Sequence, residues 1–166
     1  MQIFHRKSLR LREYDYSQPG YYFITICTQD RECLFGKINN NEMLLNNAGK
    51  MILMWWKKLK EKFNFIDLDV CVVMPNHFHG IIVIQDLHVG AHMGAPLQKM
   101  IQWFKTITTN EYIRCVKQNA WKKFNNKLWQ RNYYEHIIRT EKSLEEIREY
   151  IIYNPHNWEK DALFIK

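Results

Sequence analysis

Apolar and polar positions fall into blocks along the chain, and each block predicts an element. "GYYFITICTQ", beginning at Gly20, is dense in β-branched and aromatic residues and reads as a strand. "ECLFGKI", "NNN" and "EMLL" then read as a hairpin whose asparagines tolerate turn backbone angles. From Asn46 the period changes. Ala48, Met51, Ile52, Trp55, Trp56, Leu59 and Phe63 recur at helical spacing with lysines between them, which predicts an amphipathic helix. "IDLDVCVVM", a Pro75-Asn76 turn and "HFHGIIVI" predict two antiparallel strands. A Gly-containing segment, 85–97, is expected to be a flexible loop. Leu97, Met100, Ile101, Phe104, Ile107 and Ile113 mark a second helix. "LWQRNYYEHIIR" reads as a loop entering a last strand. A final helix opens on an S-x-x-E capping box, Ser143 with Glu146, and is stopped by Pro155.

Interleaved in this order, the elements predict an α+β fold. The expected form is a ferredoxin-like antiparallel sheet with helices packed on one face, an extra N-terminal hairpin and a C-terminal helix. At 166 residues a single domain, 1–166, is large enough to bury a core without staples. No apolar run is long enough to cross a bilayer, and "MQIFHRKSLRLREYDY" lacks the apolar stretch of a secretion signal. A cytoplasmic location with no membrane partner is the expectation. Cys27, Cys33, Cys71 and Cys115 are scattered with no C-x-x-C pair, which fits small apolar residues in a reducing compartment.

Charge narrows the partner. Twenty-four Lys and Arg against seventeen Asp and Glu give +7, and 14% of residues are aromatic. Cations neutralise phosphates and rings stack on unpaired bases, so nucleic acid is a candidate partner, although many small basic proteins bind none. Arg6, Lys7, Arg10 and Arg12 make a basic N-terminal arm within 1–18. Trp129, Arg131 and Tyr133, with Tyr134 beside them, form an aromatic and basic group suited to DNA, although Trp129 and one of the tyrosines read more readily as core.

The candidate chemistry begins with two histidines inside the apolar hairpin. Side chains two apart on a strand share a face, so His77 and His79 aim their nitrogens at one point while Phe78 faces away. Each ring has either found a hydrogen-bond partner or joins its neighbour on a divalent metal, for which a third ligand is needed. In "REYIIYNP", Tyr150 and Asn154 lie four apart on one helix face. Asn154 offers a carbonyl oxygen. Tyr150 offers a phenol that, near a metal, is a nucleophile toward phosphorus, or it simply caps the core.

"PGYYFITICTQDRECLFG", "VVMPNHFHGIIVI", "VGAH", "WQRNYYEHIIR" and "EEIREYIIYNPHNW" together resemble the REP-associated tyrosine transposases of the single-tyrosine HUH superfamily. The blocks are colinear from about residue 6 to residue 160. The resemblance implies His77 and His79 as ligands of magnesium or manganese, with Asn154 as third ligand and Tyr150 as the nucleophile on the final helix. It also implies cleavage of single-stranded DNA beside a hairpin through a 5′-phosphotyrosine, by a nucleoid-associated monomer or homodimer. Two alternatives remain at this level. One is a hairpin-binding regulator derived from a transposase, and the other is a metal hydrolase of small molecules.

Overall fold

The computed structural model describes residues 15–85, 97–118 and 121–164. β1 (Gly20–Cys27) is the hub of a four-stranded sheet. It pairs with β5 (His77–Ile84) on one side and β6 (Tyr134–Ile138) on the other, and β4 (Ile66–Val73) lies beyond β5. Every pairing is antiparallel, as the α+β expectation requires. β2 (Gly36–Asn39) and β3 (Glu42–Leu45) form the separate hairpin. At its tip Asn40 and Asn41 take left-handed φ values of 49° and 62°, which short polar side chains tolerate.

Strand alternation sorts the core into two layers. Tyr22, Ile24 and Ile26 of β1 and Phe78 and Ile82 of β5 are buried with Ile52 and Trp56 of α1 (Asn47–Lys57) and Met100, Ile101 and Phe104 of α3 (Leu97–Lys117). The opposite set, Phe23 and Ile81, packs with Ile138 and with Leu144 and Ile151 of α4 (Glu141–Tyr153). Thus α1 and α3 cover one face of the sheet, and α4 crosses the other. Gly80 is needed where these layers press closest, because a Cβ there would lie 2.6 Å from the Trp56 ring.

Helix boundaries depart from the sequence reading at two points. The amphipathic run is capped by Asn46, whose side chain accepts from the Gly49 N–H at 2.9 Å. It then breaks at Lys58 into α1 and a short α2 (Leu59–Lys62) instead of running unbroken to Phe63. α4 starts earlier than its S-x-x-E pattern predicts. Thr140 is the cap, accepting from the Ser143 N–H at 3.2 Å, so Ser143 sits inside the first turn. Pro155 ends the helix where expected, with Asn154 as its C-cap.

The arm residues Arg6, Lys7, Arg10 and Arg12, and positions 86–96 of the expected loop, lie outside the described residues. Among the described residues no helix is long and apolar enough to cross a membrane, and all four cysteines are free thiols.

Candidate active site and its family

β5 carries His77 and His79 on the sheet face that also holds Phe23, under α4. Thr25 stands opposite His79 in the β1–β5 register, and its Oγ1 is 2.8 Å from Nδ1 of that ring. The side-chain carbonyl of Asn76 accepts from Nδ1 of His77 at 2.8 Å. Both rings are therefore held by Nδ1, which leaves Nε2 of each for another partner. Burial pushes the pKa of His77 down to about 4, against the pull of the Asp161 carboxylate and the Asn154 amide. His79 is held well below its ordinary value, first by burial and then by His77 beside it. Both imidazoles are neutral at neutral pH, the form that ligates metal.

The tyrosine helix is seated by Leu144 and Ile151 and by a grip on β4. Nε and Nη2 of Arg148 donate to Oδ2 of Asp69 at 3.0 and 2.6 Å. This brings the Tyr150 hydroxyl to 3.4 Å from Nε2 of His79, with the ring edge-on to Phe23 and 46% exposed. Burial raises the phenol pKa, as does the charge of Asp161, while the Asn154 side chain works the other way. One turn on, Asn154 is buried. Its Oδ1 has no hydrogen-bond partner among the described residues, and neither has Nε2 of His77. A buried polar atom left unpaired costs about 1–3 kcal/mol. These two are both lone-pair donors with no proton to share, so the groups that suit them are a cation or a water that donates to both.

Asp161 was not singled out from the sequence. It follows a 3-10 turn, Trp158–Lys160, in which the Trp158 ring lies 5.8 Å from that of His77. Oδ2 of Asp161 accepts from Nδ2 of Asn154 at 2.9 Å and stands 4.0 Å from Nε2 of His77. Ligand atoms of His77, His79 and Asp161 all lie within 4.8 Å of one another, a group able to hold a metal ion. The signal that could have pointed here is Trp158, a large ring placed just after the helix stop that can bring the chain back onto the sheet.

The aromatic and basic group divides. Trp129 is 4% exposed, packs at 5.1 Å against Phe35 and donates its indole N–H to Thr108 Oγ1 at 2.9 Å. It is packed as a core residue that reaches the groove beside α3 with little exposed surface, which leaves little of the ring for a base and corrects its expected role in DNA binding. Arg131 and Tyr133 line a groove of about 590 Å³ beside α3, together with Lys105, Asn110 and Lys127. That groove has no carboxylate among its described lining residues, and its α3 wall belongs to the helix layer on the far side of the sheet from the histidines. Tyr134, one residue on, emerges exposed on the histidine face, 6.2 Å from Phe23.

Known proteins match this chain along most of its length. The sequence profile described as "Transposase IS200 like" matches residues 17–154. An uncharacterised protein of Haemophilus influenzae is 42% identical over 172 residues, covering 98% of this chain and 95% of its own. A protein of the same organism assigned as a REP-associated tyrosine transposase is 26% identical over 144 residues, covering 85% and 73%. Among solved structures, a REP-associated tyrosine transposase bound to a REP hairpin shares the fold with a TM-score of 0.62 at 22% identity, covering 92% of this chain and 77% of that one. A protein assigned as a transposase of Deinococcus radiodurans gives 0.50 at 18% identity, covering 87% and 96%. With the profile spanning most of the chain, the protein belongs to the IS200-like transposase family, and it shares the antiparallel α+β fold of the solved REP-associated tyrosine transposase.

Proposed function

We propose that this protein is a metal-dependent single-strand DNA endonuclease and strand transferase that recognises DNA hairpins and acts through a 5′-phosphotyrosine. The observation that carries the reading is the approach of the Tyr150 hydroxyl to within 3.4 Å of Nε2 of His79, beside the unpaired Nε2 of His77 and Oδ1 of Asn154. Magnesium or manganese held by His77, His79 and Asn154 would polarise the scissile phosphate and stabilise the charge that develops on it. Without a metal, burial and Asp161 hold the Tyr150 phenol above its ordinary pKa, a nearby cation would lower it, and Tyr150 attacks as the phenolate or loses its proton during attack. The phenol oxygen bonds to phosphorus, the bond to the 3′-oxygen breaks, and that oxygen leaves as a 3′-hydroxyl after taking a proton. One phosphoester replaces another, so attack by a different 3′-hydroxyl rejoins strands without ATP.

Substrate binding uses the net charge of +7. Arg131, Lys127 and Tyr133, in the groove with no carboxylate among its described lining residues, take phosphates and an unpaired base. Arg6, Lys7, Arg10 and Arg12 add cations from the N-terminal arm. The hairpin preference rests on the family, in which a solved relative is bound to a REP hairpin. A nucleoid-associated life in the cytoplasm follows from such a substrate.

The test is incubation with an end-labelled hairpin oligonucleotide and manganese, followed by denaturing electrophoresis. A covalent protein–DNA adduct that Tyr150→Phe abolishes is the expected result. Binding without any adduct from the unaltered protein would favour the hairpin-binding regulator, and hydrolysis that survives Tyr150→Phe would favour the small-molecule hydrolase.

A further inference from the structure

The proposed site takes its ligands from β5 and α4, yet a third segment also enters it. After Pro155 the chain folds back over the histidine face. Three anchors hold it there: the Trp158 ring against His77, the Leu163 carbonyl accepting from Nδ2 of Asn76 at 2.9 Å, and the Ala162 carbonyl accepting from Nη1 of Arg31 at 3.1 Å. Asp161 lies between these anchors, its side chain only 3% exposed. Oδ1 accepts from the Leu163 N–H at 2.6 Å, which fixes the carboxylate plane, and Oδ2 is directed at Asn154 and His77.

At 4.0 Å from Nε2 of His77, Oδ2 is too distant for a hydrogen bond. The separation is instead one that two ligands of a single ion adopt. Magnesium ligands sit at about 2.1 Å from the ion, so pairs of them stand about 3.0 Å apart at right angles and about 4.2 Å apart when opposed. Ligand atoms of His77, His79 and Asp161 all lie within 4.8 Å of one another, and Nε2 of His77 has no hydrogen-bond partner among the described residues. Charge argues likewise. Two neutral imidazoles and an amide leave both charges of a buried dication uncompensated, and a carboxylate cancels one of them. A carboxylate and an amide oxygen also add hard donors that suit magnesium or manganese, where imidazoles alone favour softer ions.

We infer that Asp161 is a fourth protein ligand of the cation, supplied by the segment that follows the tyrosine helix. It also positions the third, because its Oδ2 accepts the Asn154 N–H and so fixes the orientation of that amide. This rests on the metal reading of His77, His79 and Asn154 given above.

The test uses the full chain without DNA. Manganese is titrated in, and free aquated ion is followed by its electron paramagnetic resonance signal. Asp161→Asn is expected to weaken binding on the order of 10- to 100-fold. That variant keeps an oxygen for the Asn154 N–H, so its loss reports ligation and charge beyond positioning. Glu159→Gln, a carboxylate removed from the same segment, leaves affinity unchanged. Water-proton relaxation of the manganese-loaded wild type gives a second reading that needs no variant. Of about six coordination positions, four protein ligands leave about two waters and three leave about three. The proposal is overturned if Asp161→Asn, folded as judged by circular dichroism, binds manganese as tightly as wild type while His77→Ala does not, or if about three waters remain. If the wild type takes up no manganese, the metal reading itself falls and this inference with it. The Tyr150 adduct assay stands apart, since it can succeed while the Asp161 result is negative.

Discussion

On the α1 and α3 side of the sheet, Trp56, Phe78 and Phe104 are fully buried and meet at ring separations of 4.5 to 5.7 Å. On the α4 side the apolar cluster is small, with Phe23, Ile81, Ile138, Leu144 and Ile151 buried in it. Beside that cluster stand Thr25, His77, His79 and Asn154, all buried and polar. The contrast shows how one sheet supports two duties. The aromatic layer supplies the burial that stabilises the fold, and the strands it holds rigid can then carry unpaired polar atoms on their other face.

The comparison can be broken most severely from the aromatic side. Trp56→Ala removes the ring that presses on Gly80 and packs at a tilt against Phe78, and a loss of about 3–5 kcal/mol is expected in urea unfolding. A loss under about 1 kcal/mol would show that the layer contributes less than its burial implies. Acidification probes the other side and should have an intermediate effect. His77 and His79 resist protonation in the folded protein, so the unfolded chain binds more protons below its ordinary imidazole pKa. Stability should be level above about pH 6.5 and fall as the pH drops toward about 4, the folded value of His77. Thermal melts of metal-free protein measure this, and a flat profile across that range contradicts buried neutral rings. The smallest effect is expected from Arg148→Ala, which frees α4 from Asp69 at the cost of about 1 kcal/mol for this partly exposed pair. Its signature is local: amide exchange should quicken in α4 and stay slow in β1 and β5.

Much of this division was legible in the sequence wherever the interaction is local. Alternation in β1 and β5 put His77 and His79 on one face, and the Pro75-Asn76 turn marked the hairpin. The spacing of Tyr150 and Asn154 put both on one side of their helix. Tertiary choices were not legible. At α4, two patterns of cap and third residue overlap, Thr140 with Ser143 and Ser143 with Glu146, and the extended backbone at Thr140 selects the first. Tyr133 and Tyr134 are adjacent and chemically alike. Only the pairing of Tyr134 with Thr25 across the β1–β6 register tells which one joins the histidine face. Trp129 reads like a stacking platform until Thr108 of α3 is found bonded to its indole. Asp161 is remote in sequence from the histidines, and no local period connects them.

The two ends of the Asn76 amide touch different parts of the molecule: the oxygen steadies His77, and the nitrogen holds the Leu163 carbonyl. An expression plasmid trimmed just after the tyrosine helix, a natural choice for crystallisation, would cut away that carbonyl while sparing every residue the sequence alone had nominated. The shortened protein should still fold around its aromatic layer, yet its imidazole would have lost the brace behind its brace.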